Sequence, residues 1–255
     1  MCIINFHVNE HPNYKLIVVA NRDEFYKRPT AAAHFWEDAP ELLAGRDLEA
    51  KGTWLGITKT GKFAALTNIR DASIQKAFPT SRGDIVTNFL LSEQQAEDYL
   101  TDLVKKSNEY AGFNVLAGSI DELYYLNNRE NEVIQVEDGT HSLSNHFLNT
   151  PWPKVCRARK HLNEYVMNNK EMKHEELFEI AMDRTKASDE ELPNTGISLE
   201  LERELSSLFI QTLDYGTRSI TVLTIDKYNH VKLTEKSFDK GEFSSEKTFS
   251  FTIIQ

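Results

Sequence analysis

Cys2-Ile3-Ile4-Asn5-Phe6-His7-Val8, then Glu10-His11-Pro12-Asn13, then Lys15-Leu16-Ile17-Val18-Val19-Ala20-Asn21-Arg22-Asp23-Glu24: the fold is decided in this opening stretch. In the first run Cys2, Ile4, Phe6 and Val8 fall on one face and Ile3 and Asn5 on the other, the period of a strand. The Pro-containing segment is turn chemistry. Lys15–Ala20 is a second strand, apolar to its end, where four polar residues follow abruptly. Two strands joined by so short a turn pair antiparallel. That pairing lays Cys2 beside Asn21–Asp23, near the end of the second strand.

Outward from this hairpin the chain alternates blocks of strands and blocks of helices. An irregular stretch rich in Ala and Pro is expected through Pro40. Gly52–Thr58 and Lys62–Asn68 flank a turn at Thr60-Gly61, a hairpin signal. Helices are predicted over Arg82–Leu91 and, after a capping box at Ser92-Glu93-Gln94-Gln95, up to Lys106. Strands are predicted at Phe113–Ala117, Leu123–Leu126 and Val133–Val136. Asn145–Pro153 reads as a loop, and Val155–Met167 and Glu175–Met182 as helices. Thr185–Ser198 is expected to be an exposed loop before a short charged helix at Leu199–Leu208. The last strands are Ser219–Ile225, Val231–Lys236 and Lys247–Thr252. Hairpin-linked strands with segregated helices are α+β, antiparallel sheets covered by helices rather than a βαβ winding. No repeat and no linker interrupts the pattern, so residues 1–255 are expected to form one domain.

Composition narrows the function classes. With 29 Lys and Arg against 39 Asp and Glu, the net charge is −10 and there is no long basic run, so nucleic acid is not an expected partner. No run approaches the roughly 20 apolar residues of a membrane helix, and the start lacks a signal-peptide pattern. The two cysteines, Cys2 and Cys156, make no disulfide framework. These features predict a cytoplasmic protein. The eight histidines show no tight metal spacing, so no metal site is expected. Cys156, in a helical pattern with basic neighbours, reads as structural.

Cys2 has two readings. As a strand residue it is a small hydrophobe. After removal of the initiator Met it would carry both a thiol and a free α-amine, with unperturbed pKa values of about 8.5 and 7.7–8.0. One residue then holds nucleophile and base together. Asn21-Arg22-Asp23-Glu24 is either a solvated turn or the partner of that residue, with Asp23 holding the amine and Arg22 lowering the thiol pKa or meeting an anionic group. The hairpin geometry favours the second. Asn68 and Asn145 close the strand-like runs Leu66-Thr67-Asn68 and Leu143-Ser144-Asn145, and a neutral amide suits an oxyanion. Arg218 opens an apolar strand.

These residues, with Asn149-Thr150-Pro151-Trp152-Pro153-Lys154-Val155 and Gly216-Thr217-Arg218-Ser219, resemble the NRDE family of transport-and-Golgi-organisation proteins over essentially the whole chain. The resemblance implies a four-layer αββα sandwich related to the N-terminal-nucleophile hydrolases, nearest in pattern to the cholylglycine hydrolase and penicillin V acylase group. It also implies catalytic roles for Cys2, Asp23, Asn68, Asn145 and Arg218, and substrate-binding roles for Asn21 and Arg22. Arg22 departs from the hydrolases in being adjacent to Asp23 rather than separated from it. The family is associated with haem movement and secretory-pathway organisation.

Three functions follow as expectations. The first is an amidase acting on a small non-peptide amide, with no cofactor. The second is a non-catalytic carrier or trafficking protein that takes haem or another flat amphiphile as cargo in the same cleft. The third is an interaction module with a vestigial cleft. Under the first, Asn68, Asn145 and Arg218 converge in one pocket around Cys2, and the Cys2 thiol titrates below 8.5.

Overall fold

In the computed structural model, residues 2–70 and 78–254 are described. Cys2–Val8 (β1) and Tyr14–Phe25 (β2) form the expected hairpin, with Cys2 opposite Arg22 and Val8 opposite Leu16. Thr30–Trp36 (β3), Ala39–Asp47 (β4), Leu55–Thr58 (β5) and Phe63–Asn68 (β6) follow. Gly83–Leu91 (α1) and Ala96–Val104 (α2) precede Phe113–Gly118 (β7), Leu123–Asn127 (β8), Val133–Gln135 (β9) and Gly139–Leu143 (β10). Pro153–Asn168 (α3), His174–Ala181 (α4) and Leu199–Glu204 (α5) lead into Tyr215–Asp226 (β11), His230–Asp239 (β12) and Glu242–Thr252 (β13).

The strands make two antiparallel sheets. One has the order β10-β1-β2-β11-β12-β13, and the other is a meander in chain order from β3 to β9. Alternation along each strand assigns its two faces. Ile4, Phe6, Val8, Leu16, Val18 and Ala20 pack against Leu43, Ile57, Phe63, Ala65 and Leu116 of the facing sheet. The opposite face of β2, with Ile17 and Val19, is covered by Leu162 and Val166 of α3 and Leu177 and Phe178 of α4. The outer face of the meander, including Ala64, Val115 and Ala117, is covered by Ile85, Val86 and Phe89 of α1 and Leu100 of α2. The result is the αββα sandwich. Among the described residues no helix is long and apolar enough to cross a membrane.

Three local expectations are corrected. The stretch up to Pro40 is not irregular, because β2 runs on through Phe25 and β3 and β4 form a hairpin. The prolines obscure it, yet Pro40 falls in the register shift between the pairs Trp36–Ala39 and Phe35–Leu43, where no ladder N–H is owed. The Ser92 capping box is absent. Ser92 instead ends α1, its Oγ donating to the Phe89 carbonyl, and α2 starts after Gln95 with no side-chain cap. The carbonyls of Ser92 and Gln94 are drawn to Lys62 Nζ at 2.6 and 2.8 Å, which holds that connection in place. The short charged helix stops at Glu204, and Ser206 Oγ donates to the Arg203 carbonyl just beyond it.

Two histidines buried in this frame make stability depend on acid. His174 lies between Thr234 Oγ1 and Thr224 Oγ1 at 2.9 and 3.1 Å, and His7 Nδ1 meets Thr140 Oγ1 at 2.7 Å. The other ring nitrogen of His7 is buried without a partner among the described residues. Burial pushes both imidazoles down to about 4. An unfolded histidine titrates near 6.5, so both states are neutral above that pH. Between 6.5 and 4 the unfolded chain takes up protons that the folded chain refuses. Stability therefore falls through this window, by on the order of 3 kcal/mol for each residue. Urea unfolding at pH 7 and pH 4.5 measures it, and the native loss should exceed that of His174→Gln. Equal losses would remove His174 from the account.

Candidate functional site

The inter-sheet face of β1 ends at Cys2, and that of β2 passes through Ala20 to Arg22. Where the hydrophobic filling stops, a cavity of about 540 Å³ opens to solvent. Cys2, Arg22, Asp23 and Asn68 line it, together with Glu24, Arg28, Asp47, Trp54, Phe78 and Arg82.

Cys2 is half-buried and lies across the strand pair from Arg22, beside the Asp23 backbone. Burial pushes the thiol up, and the chain's amino terminus and Arg22 only partly offset this. Burial thus works against the expected fall below 8.5, because desolvation disfavours the thiolate more than one arginine favours it. Asp23 is 1% exposed, and its Oδ1 accepts from Thr217 Oγ1 at 2.8 Å. Burial raises its carboxyl, opposed by the amino terminus, Lys154 and the Thr217 hydrogen bond.

Arg22 stacks on Trp54, 4.3 Å from the ring centroid, and donates to Thr30 Oγ1 at 2.8 Å. Its other guanidinium nitrogen lies 3.6 Å from Asp47, whose carboxylate also takes Arg28 Nε at 2.6 Å. Arg28 Nη1 also lies 3.4 Å from Glu49 Oε2, so two carboxylates balance the two guanidinium charges. Arg82, just before α1, differs. It donates to the Gly112 carbonyl at 3.1 Å and has no ion pair among the described residues. It lies within range of the charges of Cys2 and Glu24. A partly buried guanidinium with no paired carboxylate is suited to an anionic group on a ligand.

Asn68 ends β6 at the cavity, and its side-chain amide makes no hydrogen bond to a described residue. It is a donor left free for an incoming oxygen. Asn145 does not line the cavity. It is fully buried, and its Nδ2 donates to the Asn68 carbonyl at 2.9 Å while its Oδ1 accepts from Ser144 Oγ. Ser144 Oγ also reaches the Cys2 carbonyl at 3.3 Å. Asn145 therefore fixes the backbone of Asn68, and the expectation that both amides face the pocket is corrected for this residue.

Arg218 also points elsewhere. It is the extra residue in a bulge of β11 between the pairs Thr217–Asp23 and Ser219–Arg22. The bulge turns its side chain outward, where Nη1 donates to the carbonyls of Phe25, Tyr26 and Arg28 at 2.9–3.1 Å. It holds the loop that carries Arg28 and does not border the cavity. Asn21 is corrected too. Strand alternation sends its side chain to the helix side, where Nδ2 donates to the carbonyls of Ala181 and Leu208 at 2.9 and 3.0 Å.

Arg28, Asp47, Trp54 and Arg82 escape the sequence reading. Arg82 opens a recognised helix and Trp54 lies inside the recognised hairpin run Gly52–Thr58, but neither position carries a motif. Lys154, within the quoted Thr-Pro-Trp-Pro-Lys run, is also missed as a functional candidate. It is 2% exposed and within electrostatic reach of Asp23 and Cys2. Among the described residues no group of three His, Cys, Asp or Glu side chains could hold a metal ion.

Comparison with known proteins gives concordant results. The family described as Transport and Golgi organisation 2 matches residues 1–240. Transport and Golgi organization 2 homolog of Mus musculus is 34% identical, with 99% of each chain covered. Transport and Golgi organization protein 2 homolog of Homo sapiens is 33% identical at the same coverage. Among solved structures, the C2A mutant of a conjugated bile acid hydrolase from Clostridium perfringens superposes with a TM-score of 0.53 at 9% identity. The match covers 99% of this chain and 97% of that one. At that identity the likeness concerns the fold, which is that of the N-terminal-nucleophile hydrolases.

Proposed function

The chain belongs to the Transport and Golgi organisation 2 family, and from that membership and the site just described we propose a cysteine N-terminal-nucleophile amide hydrolase, built on a single domain of residues 1–255. The substrate is a small non-peptide amide with an anionic group. The observation that carries this reading is that Cys2, Asp23 and Asn68 line one cavity, where the Asn68 side-chain amide makes no hydrogen bond to a described residue. The structural neighbour is a hydrolase studied with cysteine replaced at position 2, and this chain has cysteine at that position.

In the proposed reaction the chain begins at Cys2. The α-amine, held by Asp23, takes the thiol proton as sulfur attacks the carbonyl carbon. Asn68 donates to the oxyanion, and the amine passes the proton to the leaving nitrogen as the C–N bond breaks. Water then hydrolyses the thioester. Because burial keeps the thiol protonated, the proton leaves at the moment of attack rather than beforehand. Arg82 meets the anionic end of the substrate.

A second reading follows from the same cavity. Its open polar mouth, with Trp54, Phe78 and Arg82, suits a carrier holding haem or another amphiphile by a carboxylate, with no bond to Cys2. Intact mass after incubation with a panel of thiol-directed acylating amides and esters separates the two. The hydrolase gives one acyl adduct on a chain lacking Met1, lost in Cys2→Ala and retained in Cys156→Ser. No adduct with any reagent, or a chain that keeps Met1 in the cell, leaves the carrier.

A further inference from the structure

Each of the two sheets ends in two edge strands, and an edge is a row of backbone N–H and C=O groups open to another chain. Three of the four edges are blunted. At β10, Arg159 Nε donates to the Thr140 carbonyl at 3.0 Å. Asn149 engages Ser142 twice, its Oδ1 accepting the Ser142 N–H and its own N–H donating to the Ser142 carbonyl. At β3 the ladder to β4 is broken by a register shift, and the Ala33 N–H donates to Glu235 Oε1 at 2.6 Å. At the fourth edge but one, β9 is only three residues long.

β13 is the exception. It runs for 11 residues at the end of its sheet, with β12 on one side only. The Ile253 N–H donates to the Asn229 carbonyl, in register with the pairs from Ser237–Ser245 to His230–Thr252. Hydrogen bonding alternates along an antiparallel ladder, so Lys247, Phe249 and Phe251 turn their amides toward β12. Glu246, Thr248, Ser250 and Thr252 turn theirs outward, and all four residues are exposed. No hydrogen bond from a described residue reaches these outward groups. The open segment has defined ends. Ser244 is the extra residue of a bulge between the pairs Ser237–Ser245 and Phe238–Phe243, and the N–H of Ile254 is taken by the Lys59 carbonyl at 2.9 Å.

We propose that β13 pairs with β13 of a second copy of this chain, antiparallel about a two-fold axis at Phe249, joining the two six-stranded sheets into one. The midpoint of the open segment sets the axis. Glu246 then lies opposite Thr252 of the second copy and Thr248 opposite Ser250, and each pair exchanges both backbone hydrogen bonds. Phe249 meets its own counterpart and Lys247 meets Phe251, an aromatic pair and a cation over a ring. Charge opposes the neighbouring registers: an axis at Lys247 sets two lysines face to face, and an axis at Glu246 sets two glutamates. An axis at Thr248 brings Thr252 against the Ser244 bulge, where the ladder is interrupted. The backbone alone accepts any extended strand; the self-complementary side chains select a second copy.

Multi-angle light scattering of the full chain over a dilution series should show a dimer at the concentrated end. Thr248→Pro removes an outward N–H and keeps the ladder to β12, because proline is tolerated on the open side of an edge strand. That variant should be monomeric with an unchanged Tm. Cross-linking in a Cys2→Ala, Cys156→Ser background reads the register and does not depend on the proline variant folding. Glu246→Cys and Thr252→Cys chains should form a disulfide-linked dimer when mixed and oxidised, since paired Cα atoms about 5.5 Å apart suit the bond. Neither should cross-link alone, because the axis at Phe249 sets each roughly 20 Å from its own counterpart. A wild-type chain that stays monomeric throughout the series overturns the proposal, whether or not it takes up an added extended peptide. So does a dimer that survives Thr248→Pro, or cross-linking of either cysteine variant alone as readily as of the mixture.

Discussion

Cys2→Ala should reduce turnover of any amide that acylates the protein by on the order of 10⁶-fold, the scale on which removal of a covalent nucleophile is felt. The fold should remain intact, because the side chain lies at the mouth of the inter-sheet core rather than within it. Asn68→Ala should act on kcat with little change in KM, by roughly 10²- to 10³-fold, because in the proposed reaction its amide binds charge that exists only in the transition state. Asn145→Ala should do less, since it acts through the Asn68 backbone. Steady-state kinetics of the three variants check this ordering. An Asn145 variant as damaging as Asn68→Ala would mean that the site rearranges to bring Asn145 to the substrate.

Arg70→Met should destabilise the protein by about 3–5 kcal/mol, the cost of leaving one member of a buried ion pair uncompensated. Arg70 and Glu202 are 8% and 3% exposed at the side chain and 2.7 Å apart, and Arg70 also lies 5.1 Å from the centroid of the Trp152 ring. Among the described residues, removal of the cation leaves Glu202 without an ion pair, held by the Thr195 N–H and hydroxyl. For a chain of this length the loss corresponds to a fall in Tm of roughly 10 °C. Arg70→Met combined with Glu202→Leu should recover most of it, because an apolar pair of similar volume avoids the desolvation cost. Urea denaturation of the single and double variants measures both terms. A loss below about 1 kcal/mol in the single variant would show that water reaches the pair, in line with exposed ion pairs.

How much of this was legible in the sequence differs by element. The β1–β2 hairpin and the β5–β6 hairpin could be read directly, because their apolar alternation and turn residues are local and agree with each other. The β3–β4 hairpin could not, since Pro29 and Pro40 mimic an irregular stretch and only the bulge opposite Phe35–Trp36 shows how a proline is accommodated. The helix boundary at Ser92 was misread for a related reason. A serine with a Gln three positions later fits either end of a helix, and Lys62, far away in sequence, settles which.

For the candidate site, the sequence by itself determined that Cys2 lies near Asn21–Asp23, because a short turn between two apolar runs pairs them antiparallel, and the structure fixes the register with Cys2 opposite Arg22. The polar cluster after the second strand and the Asn that closes the Leu66–Asn68 run also pointed to Asp23 and Asn68, which do border the cavity, and the family resemblance singles out the same two residues. The directions of the other side chains were a matter for tertiary structure alone. Asn21 and Arg22 are adjacent in sequence, yet alternation sends one beneath the helices and the other between the sheets. A single bulged residue in β11 turns Arg218 onto the carbonyls of Phe25–Arg28. Arg82 and Lys154 come from the starts of α1 and α3, helices that pack on opposite faces of the sandwich. Periodicity is a property of neighbours along the chain. A site assembled from both sheets and both helix layers depends on contacts between residues whose separation in sequence carries no such signal.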